Sequence, residues 1–422
     1  MRTFYSAVFY LIIPFILLRL FWRGIKAPDY RLRWRERFAF YDRKFPQNVI
    51  WFHAVSVGEA EALFPLIRRL QQQFPQAKLL ITTTTPTGSA RVRAVLGQTV
   101  EHVYLPYDTP NAVRRFMWCF KPILAVIMET EIWPNLFTYC GDSNIPLYVV
   151  NARLSEKSSR GYQKIPSLIH PVIANVKQIA TQTQDDAERF IAIGAKPEQV
   201  VTLGNIKFDL EIPEHIIDKG KRLKTTVFKD RFVWIAASTH KGEEQIFLDV
   251  YKQLKPKISE LLLVIVPRHP ERFAEVSALC SQNTMVVVTR TSKQPCELDT
   301  DIFLADTMGE LKMLYAAADV AFVGGSMVSV GGHNLLEASV VGIPVLFGPY
   351  MANFKEIANK VLVHHAAIQC QDNAALVKAI QTVYSDMGYR NLLIDNGKAF
   401  VHNNRGAVEK LCNMLAAEIR HR

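Results

Sequence analysis

Two segments in opposite halves of this 422-residue chain carry the residue types that could do chemistry. The first is HAVSVGEAEAL, residues 53–63, in which Glu59 follows a short apolar run. The second is GGSMVSVGGHNLLEASVVGIPVLFG, residues 324–348. There Gly324 and Gly325 end an apolar run, and Asn334, Leu335, Leu336 and Glu337 open a helical one. A carboxylate in the first turn of a helix is acidified by the dipole and made less acidic by burial. A general base working near neutral pH needs burial to prevail. In the second segment, glycines let a ligand approach the backbone. Helix-start N–H groups can hold a phosphate there, and Glu337 can accept from ribose hydroxyls. The plainer alternatives are that Glu59 only stabilises a helix start and that Asn334 and Glu337 cap each other. A base on one domain facing a nucleotide on another, across a cleft, is the arrangement of a group transfer.

Further candidates stand at the ends of apolar runs. METEIWPN supplies Glu129 and Glu131, and GNIKFD supplies Lys207. A base, a second acid and a lysine suit transfer to a hydroxyl with an anionic leaving group. VPRHPERF places Arg268 and His269 after LLLVIV, where an arginine can grip a phosphate with two N–H groups. DTMGELKMLY places Met308, Gly309 and Glu310 at a helix start, with Thr307 and Glu310 spaced as a capping box. Ser238, Thr239 and His240 follow another run. No GxGxxG opens either half and no GxxxxGK[ST] occurs, which excludes P-loop chemistry. Asp299-Thr300-Asp301 has the DxD pattern of metal-binding sugar transferases. It precedes its apolar run, at the edge away from ligands, and reads as a turn; no metal is implied.

These residues need elements to hold them. NVIWFHA, KLLITTT, ILAVIM, PLYVVNA and VVTLGN predict strands separated by helical patterns, which is the spacing of βαβ units and a parallel sheet. A second series follows: FVWIAAS, LLLVIV, MVVVT, DIFLAD, DVAFVGG and PVLFG. The reading is α/β, with two doubly wound Rossmann-like domains. Residues 46–210 form the first, 211–230 a linker and 231–422 the second, helical after about residue 372, its last helix able to return to the first domain. Ligands in such sheets bind beyond the carboxyl ends of the strands. In VRRFMWCFK, residues 113–121, the apolar positions Val113, Phe116, Met117 and Phe120 have the spacing of a core-facing stripe.

A hydrophobic content of 49% excludes general disorder. The balance of 50 basic and 39 acidic residues gives +11, which favours anionic surfaces. Nucleic acid is the default partner of such a charge, but nine of the basic residues lie in 19–44, directly after the apolar run Phe4 to Leu18. That pairing points to a membrane. Residues 1–45 therefore read as an uncleaved anchor with a basic flank, which leaves the remainder on the cytoplasmic side. A docked N-terminal hairpin is the alternative, and Pro14 would kink a helix here. Six scattered cysteines without a CxxC fit a reducing compartment.

Taken together, HAVSVGEAEA, TTTTPTGSAR, METEIWPN, NARLS, GNIKFD, VPRHPERF, DTMGELKMLYAAADVAFVGGS and GGHNLLEASVVGIPVLFGP make the chain resemble the 3-deoxy-D-manno-octulosonic acid (Kdo) transferases. The resemblance runs over nearly the whole length. It implies the GT-B fold, CMP-Kdo as donor substrate with no other cofactor, and a lipid A precursor (lipid IVA) as acceptor in lipopolysaccharide core biosynthesis. It implies the inner membrane of a Gram-negative bacterium, catalytic domains on the cytoplasmic face, with anionic lipids as partners and no nucleic acid. Glu59 would be the proton acceptor in an inverting displacement, with Glu129 (or Glu131) and Lys207 supporting the transition state. Arg268, His269, Met308, Gly309, Glu310, Gly325, Ser326, Asn334, Leu335, Leu336 and Glu337 would hold CMP. One phosphate, less charged than a diphosphate, could be neutralised by cationic side chains such as Arg268 and Lys207. One departure is Leu335 where HNPLE is expected; proline there only pre-sets φ. The competing readings are a UDP-sugar transferase or epimerase of the same fold, and a non-enzymatic membrane-attached nucleotide-binding protein.

Overall fold

The structure, a computed structural model, describes residues 1–421. The chain divides into two compact units, residues 1–209 with 404–422, and residues 210–403.

The first unit is built on a seven-stranded parallel sheet: β1 (Ile50–His53), β2 (Leu79–Thr83), β3 (Glu101–Tyr104), β4 (Leu124–Met128), β5 (Leu147–Ala152), β6 (Gln178–Thr181) and β7 (Val200–Thr202). Their order in the sheet is β3-β2-β1-β4-β5-β6-β7. Helices cover both faces, so the strands are largely apolar and β1, β2, β4 and β5 are buried at every position. Alternate residues feed two cores. Trp51 and Ile127 pack with Phe116, Phe120 and Phe137; Phe52 and Val126 pack with Leu63, Ile67, Leu411 and Leu415 on the other face. The last two belong to the final helix, Ala407–Arg420, which thereby completes the first unit's core. The stripe Val113, Phe116, Met117 and Phe120 is buried on the helix Pro110–Phe120, while Trp118 is exposed.

The helix Arg2–Lys26 runs without a break through Pro14. Its less exposed positions, Tyr5, Ser6, Phe9, Ile13, Ile16, Leu17, Leu20 and Gly24, recur at helical spacing along its length. Tyr5 donates to Asp108 Oδ2 at 3.1 Å and Ser6 to Asn135 Oδ1 at 3.1 Å. The basic flank is divided. Arg33 pairs with Glu36 at 2.6 Å, and Arg37 is buried, donating to the Thr84 carbonyl at 3.0 Å. Arg19, Arg23, Arg31, Arg35, Arg43 and Lys44 remain exposed.

The second unit repeats the architecture: β8 (Phe232–Thr239), β9 (Leu261–Pro267), β10 (Val287–Thr289), β11 (Ile302–Leu304), β12 (Val320–Val323), β13 (Val345–Phe347) and β14 (Ile368–Gln369), ordered β10-β11-β9-β8-β12-β13-β14. All eight residues of β8 and all seven of β9 are buried. Residues 211–230 hold the helix Glu214–Thr226, whose Leu223 is buried and whose Gly220 lies against Ala316 and the Met313 carbonyl.

Candidate active site

In each sheet the strand order reverses beside the unit's first strand, between β1 and β4 and between β8 and β12. A switch point opens a crevice at the carboxyl ends of its two strands. Glu59 follows β1 and Glu129 follows β4, so the first unit's switch point is bracketed by two carboxylates.

Ser56 starts the helix Val57–Gln73, its hydroxyl facing the Glu59 N–H at 3.4 Å. The Glu59 carboxylate turns back over that turn and accepts from the Val55 N–H at 2.8 Å and the Ser56 hydroxyl at 3.0 Å. Capping and catalysis are therefore not exclusive readings of this residue: the cap fixes the carboxylate at the sheet edge. Burial dominates its proton affinity and lifts its pKa to about 7. The Glu129 charge raises it further, the two hydrogen bonds pull it down, and Glu131 adds a smaller push upward. Burial, and then the Glu129 charge, also raise Glu131.

Glu129 has φ +55°, a left-handed backbone that is uncommon for a side-chain-bearing residue and that clusters at functional sites. Its Oε1 lies 3.3 Å from Lys207 Nζ. Lys207 is held from below: the Asn151 side chain accepts from the Ile206 N–H at 3.1 Å, and the Asn205 side chain accepts from the Lys207 N–H at 2.9 Å. Asn205 also donates to Gln182 at 2.8 Å, and Gln182 to the Asn151 carbonyl at 2.9 Å.

In the second unit, His240 follows β8, Arg268 and His269 follow β9, Met308 to Glu310 follow β11, and Gly325 to Glu337 follow β12. All the singled-out loops stand at one sheet edge. Their side chains differ in what they leave open. Met308 is exposed, and Gly309 has φ +85°. Both Glu310 oxygens accept from Arg290, at 3.0 and 2.9 Å, and Thr307 adds a bond at 2.5 Å. Burial works against the Glu310 charge, but these donors together pull its pKa below the ordinary value. The Ser326 hydroxyl is fully buried, donating to the Val323 carbonyl at 2.5 Å and accepting from the Gly348 N–H at 2.8 Å. Asn334 Oδ1 accepts from the Leu336 N–H at 3.1 Å. The helix it opens, Leu336–Val341, has only six residues, too short for a strong dipole.

Sequence reasoning missed Glu243. This fully buried carboxylate accepts four backbone N–H groups, those of His240, Gly325, Ser326 and Met327, at 2.7 to 3.0 Å. It fixes the glycine-rich loop; a Cβ at Gly324 would stand 2.8 Å from the Ser238 carbonyl and 2.9 Å from Glu243 Oε2. Its only signal in the sequence is an acid in the first turn after SerThrHis. Nearby, buried Glu244 accepts from Arg272 at 2.5 Å and from Thr239 at 2.7 Å. Asp301 of the DxD accepts from the Tyr251 hydroxyl and the Val286 N–H, both at 2.9 Å, just after a turn closed by the Thr300 N–H on the Glu297 carbonyl at 3.1 Å.

Two units, each on a seven-stranded parallel sheet, make a GT-B-like glycosyltransferase fold, and residues 232–400 match the glycosyl transferases group 1. The fold is shared with UDP-GlcNAc 2-epimerase from Neisseria meningitidis, at TM-score 0.57 and 13% identity over 90% of this chain and 100% of that one. Residues 32–210 match the 3-deoxy-D-manno-octulosonic-acid transferase (kdotransferase) family. A 3-deoxy-D-manno-octulosonic acid transferase of Haemophilus influenzae is 38% identical over 417 residues, 98% of each chain. The C-terminal CMP-Kdo binding domain of WaaA from Acinetobacter baumannii is 32% identical, covering 44% of this chain and 97% of that one, with TM-score 0.42. The chain belongs to the Kdo transferase family and is a glycosyltransferase.

Proposed function

We propose that this enzyme transfers Kdo from CMP-Kdo to a hydroxyl of the lipid A precursor, with inversion at the anomeric carbon. The observation that carries the mechanism is the half-buried Glu59 carboxyl, lifted to about 7 beside Glu129 and its Lys207 partner. The acceptor oxygen forms its bond to the anomeric carbon as the bond from that carbon to the CMP phosphate oxygen breaks. Glu59 takes the hydroxyl proton, and CMP leaves with the bonding electron pair. Lys207, oriented by Glu129, offsets negative charge as it develops; Glu131 stands second to Glu129 in that support. Arg268 and His269 receive the phosphate, and the Met308–Glu310 loop and Asn334 to Glu337 hold the nucleoside. Gly325 and Ser326 shape that pocket, Ser326 through its bond to Gly348. The pairing of Glu310 with Arg290 assigns it to holding its loop, with Met308 and the backbone at Gly309 meeting the ligand.

The acceptor is a lipid, and the N-terminal helix supports a place at the inner membrane with the catalytic units on the cytoplasmic face. Among the described residues it is the one helix long and apolar enough to cross a bilayer. Bonds from Tyr5 and Ser6 near its start, and the stripe reaching Gly24, favour lying along the first unit over crossing. Its outer positions Phe4, Leu11, Phe15, Leu18, Trp22 and Ile25 are exposed and apolar. This is a helix embedded in one leaflet, with the exposed arginines of the flank meeting anionic headgroups.

The test is mass spectrometry of the lipid after incubation of the purified protein with CMP-Kdo and lipid IVA. A gain of one or more Kdo units is expected; unchanged lipid with intact donor would overturn the substrate assignment. Glu59→Gln should lower the rate by about 10²–10⁴-fold and leave CMP binding in place.

A further inference from the structure

His240 and His333 are not among the residues assigned above, and their geometry is specific. Their Nε2 atoms lie 2.8 Å apart. The ring planes differ by 12° and the centroids are 5.1 Å apart, the arrangement of two imidazoles laid end to end in one plane. A contact of this kind holds a single proton: one Nε2 donates and the other accepts. A second proton would set two N–H groups head to head, so the pair carries a charge of zero or +1 and never +2.

The surroundings explain how it is kept there. His240 follows β8, and its backbone N–H is tied to Glu243 at 3.0 Å. His333 lies in the loop that returns to Gly325, whose carbonyl accepts from Gly331 and Gly332 at 3.1 and 2.7 Å. Gly325 has φ +66°, and a Cβ there would press on both rings, at 3.1 and 3.3 Å. His269 closes the third side, its ring 5.5 Å from that of His240 and nearly perpendicular. Burial, then Arg268, His240 and His269, hold the His333 pKa down to about 4. Burial, His269, Arg268 and Arg272 lower His240, against a smaller opposing pull from Glu244. Lys241, next in the chain, is exposed and 4.0 Å from Glu275. The cations are therefore already crowded, and the pair is neutral near pH 7 when no anion is bound.

We infer that the His240–His333 pair is a proton-accepting part of the donor site: it takes up one proton when the anionic donor binds and then presents one positive charge to it. The inference rests on the CMP-Kdo reading. That donor carries a phosphodiester and a carboxylate, two negative charges, and Arg268 supplies one fixed positive charge. An arriving anion reverses the local balance that kept the pair neutral, so binding and protonation reinforce each other. No bond other than N–H changes, and the proton comes from solvent.

The probe is the methyl ester of cytidine 5′-monophosphate, whose phosphate does not titrate near neutral pH. Its Kd is measured by calorimetry from pH 5.5 to 8 in two buffers of different ionisation enthalpy. The expected result is affinity falling as pH rises, approaching about tenfold per unit, with up to one proton taken up. His240→Asn and His333→Asn should both flatten this slope, and His240→Gln serves if an asparagine variant does not fold. A slope kept in these variants and lost in His269→Asn would overturn the inference, as would a flat wild type. Preference for the uridine ester would overturn the CMP reading instead, and the slope is then read with that ester. Failure of both esters to bind would overturn both readings.

Discussion

Lys207 Nζ lies 3.3 Å from Glu129 Oε1, although their strands, β7 and β4, have β5 and β6 between them. Three strand spacings are about 14 Å. The pair forms because the chain after β7 folds back across the sheet edge, where Asn151 and Gln182 anchor Ile206 and Asn205. The lysine is thus delivered to Glu129 at the carboxyl edge of the sheet.

Removing either partner should shift the acid limb of the rate in opposite directions. Glu129→Gln deletes a negative neighbour of Glu59 and should move the limb of kcat/KM to lower pH by about one unit. Lys207→Ala leaves Glu129 uncompensated and should move it to higher pH. Both variants should also lose rate. A shift in the same direction for both would refute the electrostatic roles given to this pair.

In the wild type, Glu59 must be ionised to act as a base, so kcat/KM should rise with pH through a value near 7. The same shift has a cost in stability. The folded pKa is raised, so between about pH 4.5 and 7 the folded state binds more protons than the unfolded chain, and stability falls as pH increases. Glu59→Gln should remove that slope as well as most of the activity. Denaturant titrations at pH 5 and 7.5 measure the first and product formation the second.

Glu243→Gln should cost the second unit about 1–3 kcal/mol, because an amide offers one acceptor oxygen where the carboxylate offers two. Hydrogen exchange at the Gly325, Ser326 and Met327 amides should speed up, and CMP affinity should fall at least about tenfold, a loss of about 1.4 kcal/mol. Unchanged exchange at these amides would show that the loop is held otherwise.

Much of this arrangement was legible in the residues. Long β-branched runs such as FVWIAAS and LLLVIV declare buried parallel strands, and the edge rule then selects the loops bearing Glu59, Glu129, Arg268 and Asn334. The strands that left no such signal, β3, β6 and β14, are short; β3 and β6 each begin on a polar residue, and β14 has only two residues. Three site features were hidden for a common reason: the Lys207–Glu129 pair, the Glu243 staple and the His240–His333 contact each join residues distant in sequence or folded back over a turn. Local pattern shows what a segment forms, not which distant side chain it meets. The basic flank misled in part, since charge counts do not distinguish an arginine in solvent from Arg37, buried over the Tyr104 ring at 4.3 Å.

The N-terminal helix separates two topologies by a simple measurement. At 25 residues it is about 37 Å long, enough to cross a bilayer. A crossing helix would carry Tyr5 to the far side, away from Asp108. In the structure Asp108 accepts from Tyr5 and from the Asn135 and Leu136 N–H groups, both at 2.9 Å, so one carboxylate clasps this helix and starts another. Burial raises Asp108 to about 6, while these donors favour its ionised form. With Thr3→Cys, a membrane-impermeant maleimide applied to right-side-out vesicles should give no labelling, as for Lys157→Cys on the catalytic unit. In inverted vesicles Lys157→Cys should react. Labelling of Thr3→Cys from the outer face would establish a crossing helix and show that the clasp is broken in the membrane. Asp108→Asn, which weakens the acceptor without changing its shape, should loosen the helix first at its Tyr5 end, read as faster protease cleavage near the N-terminus.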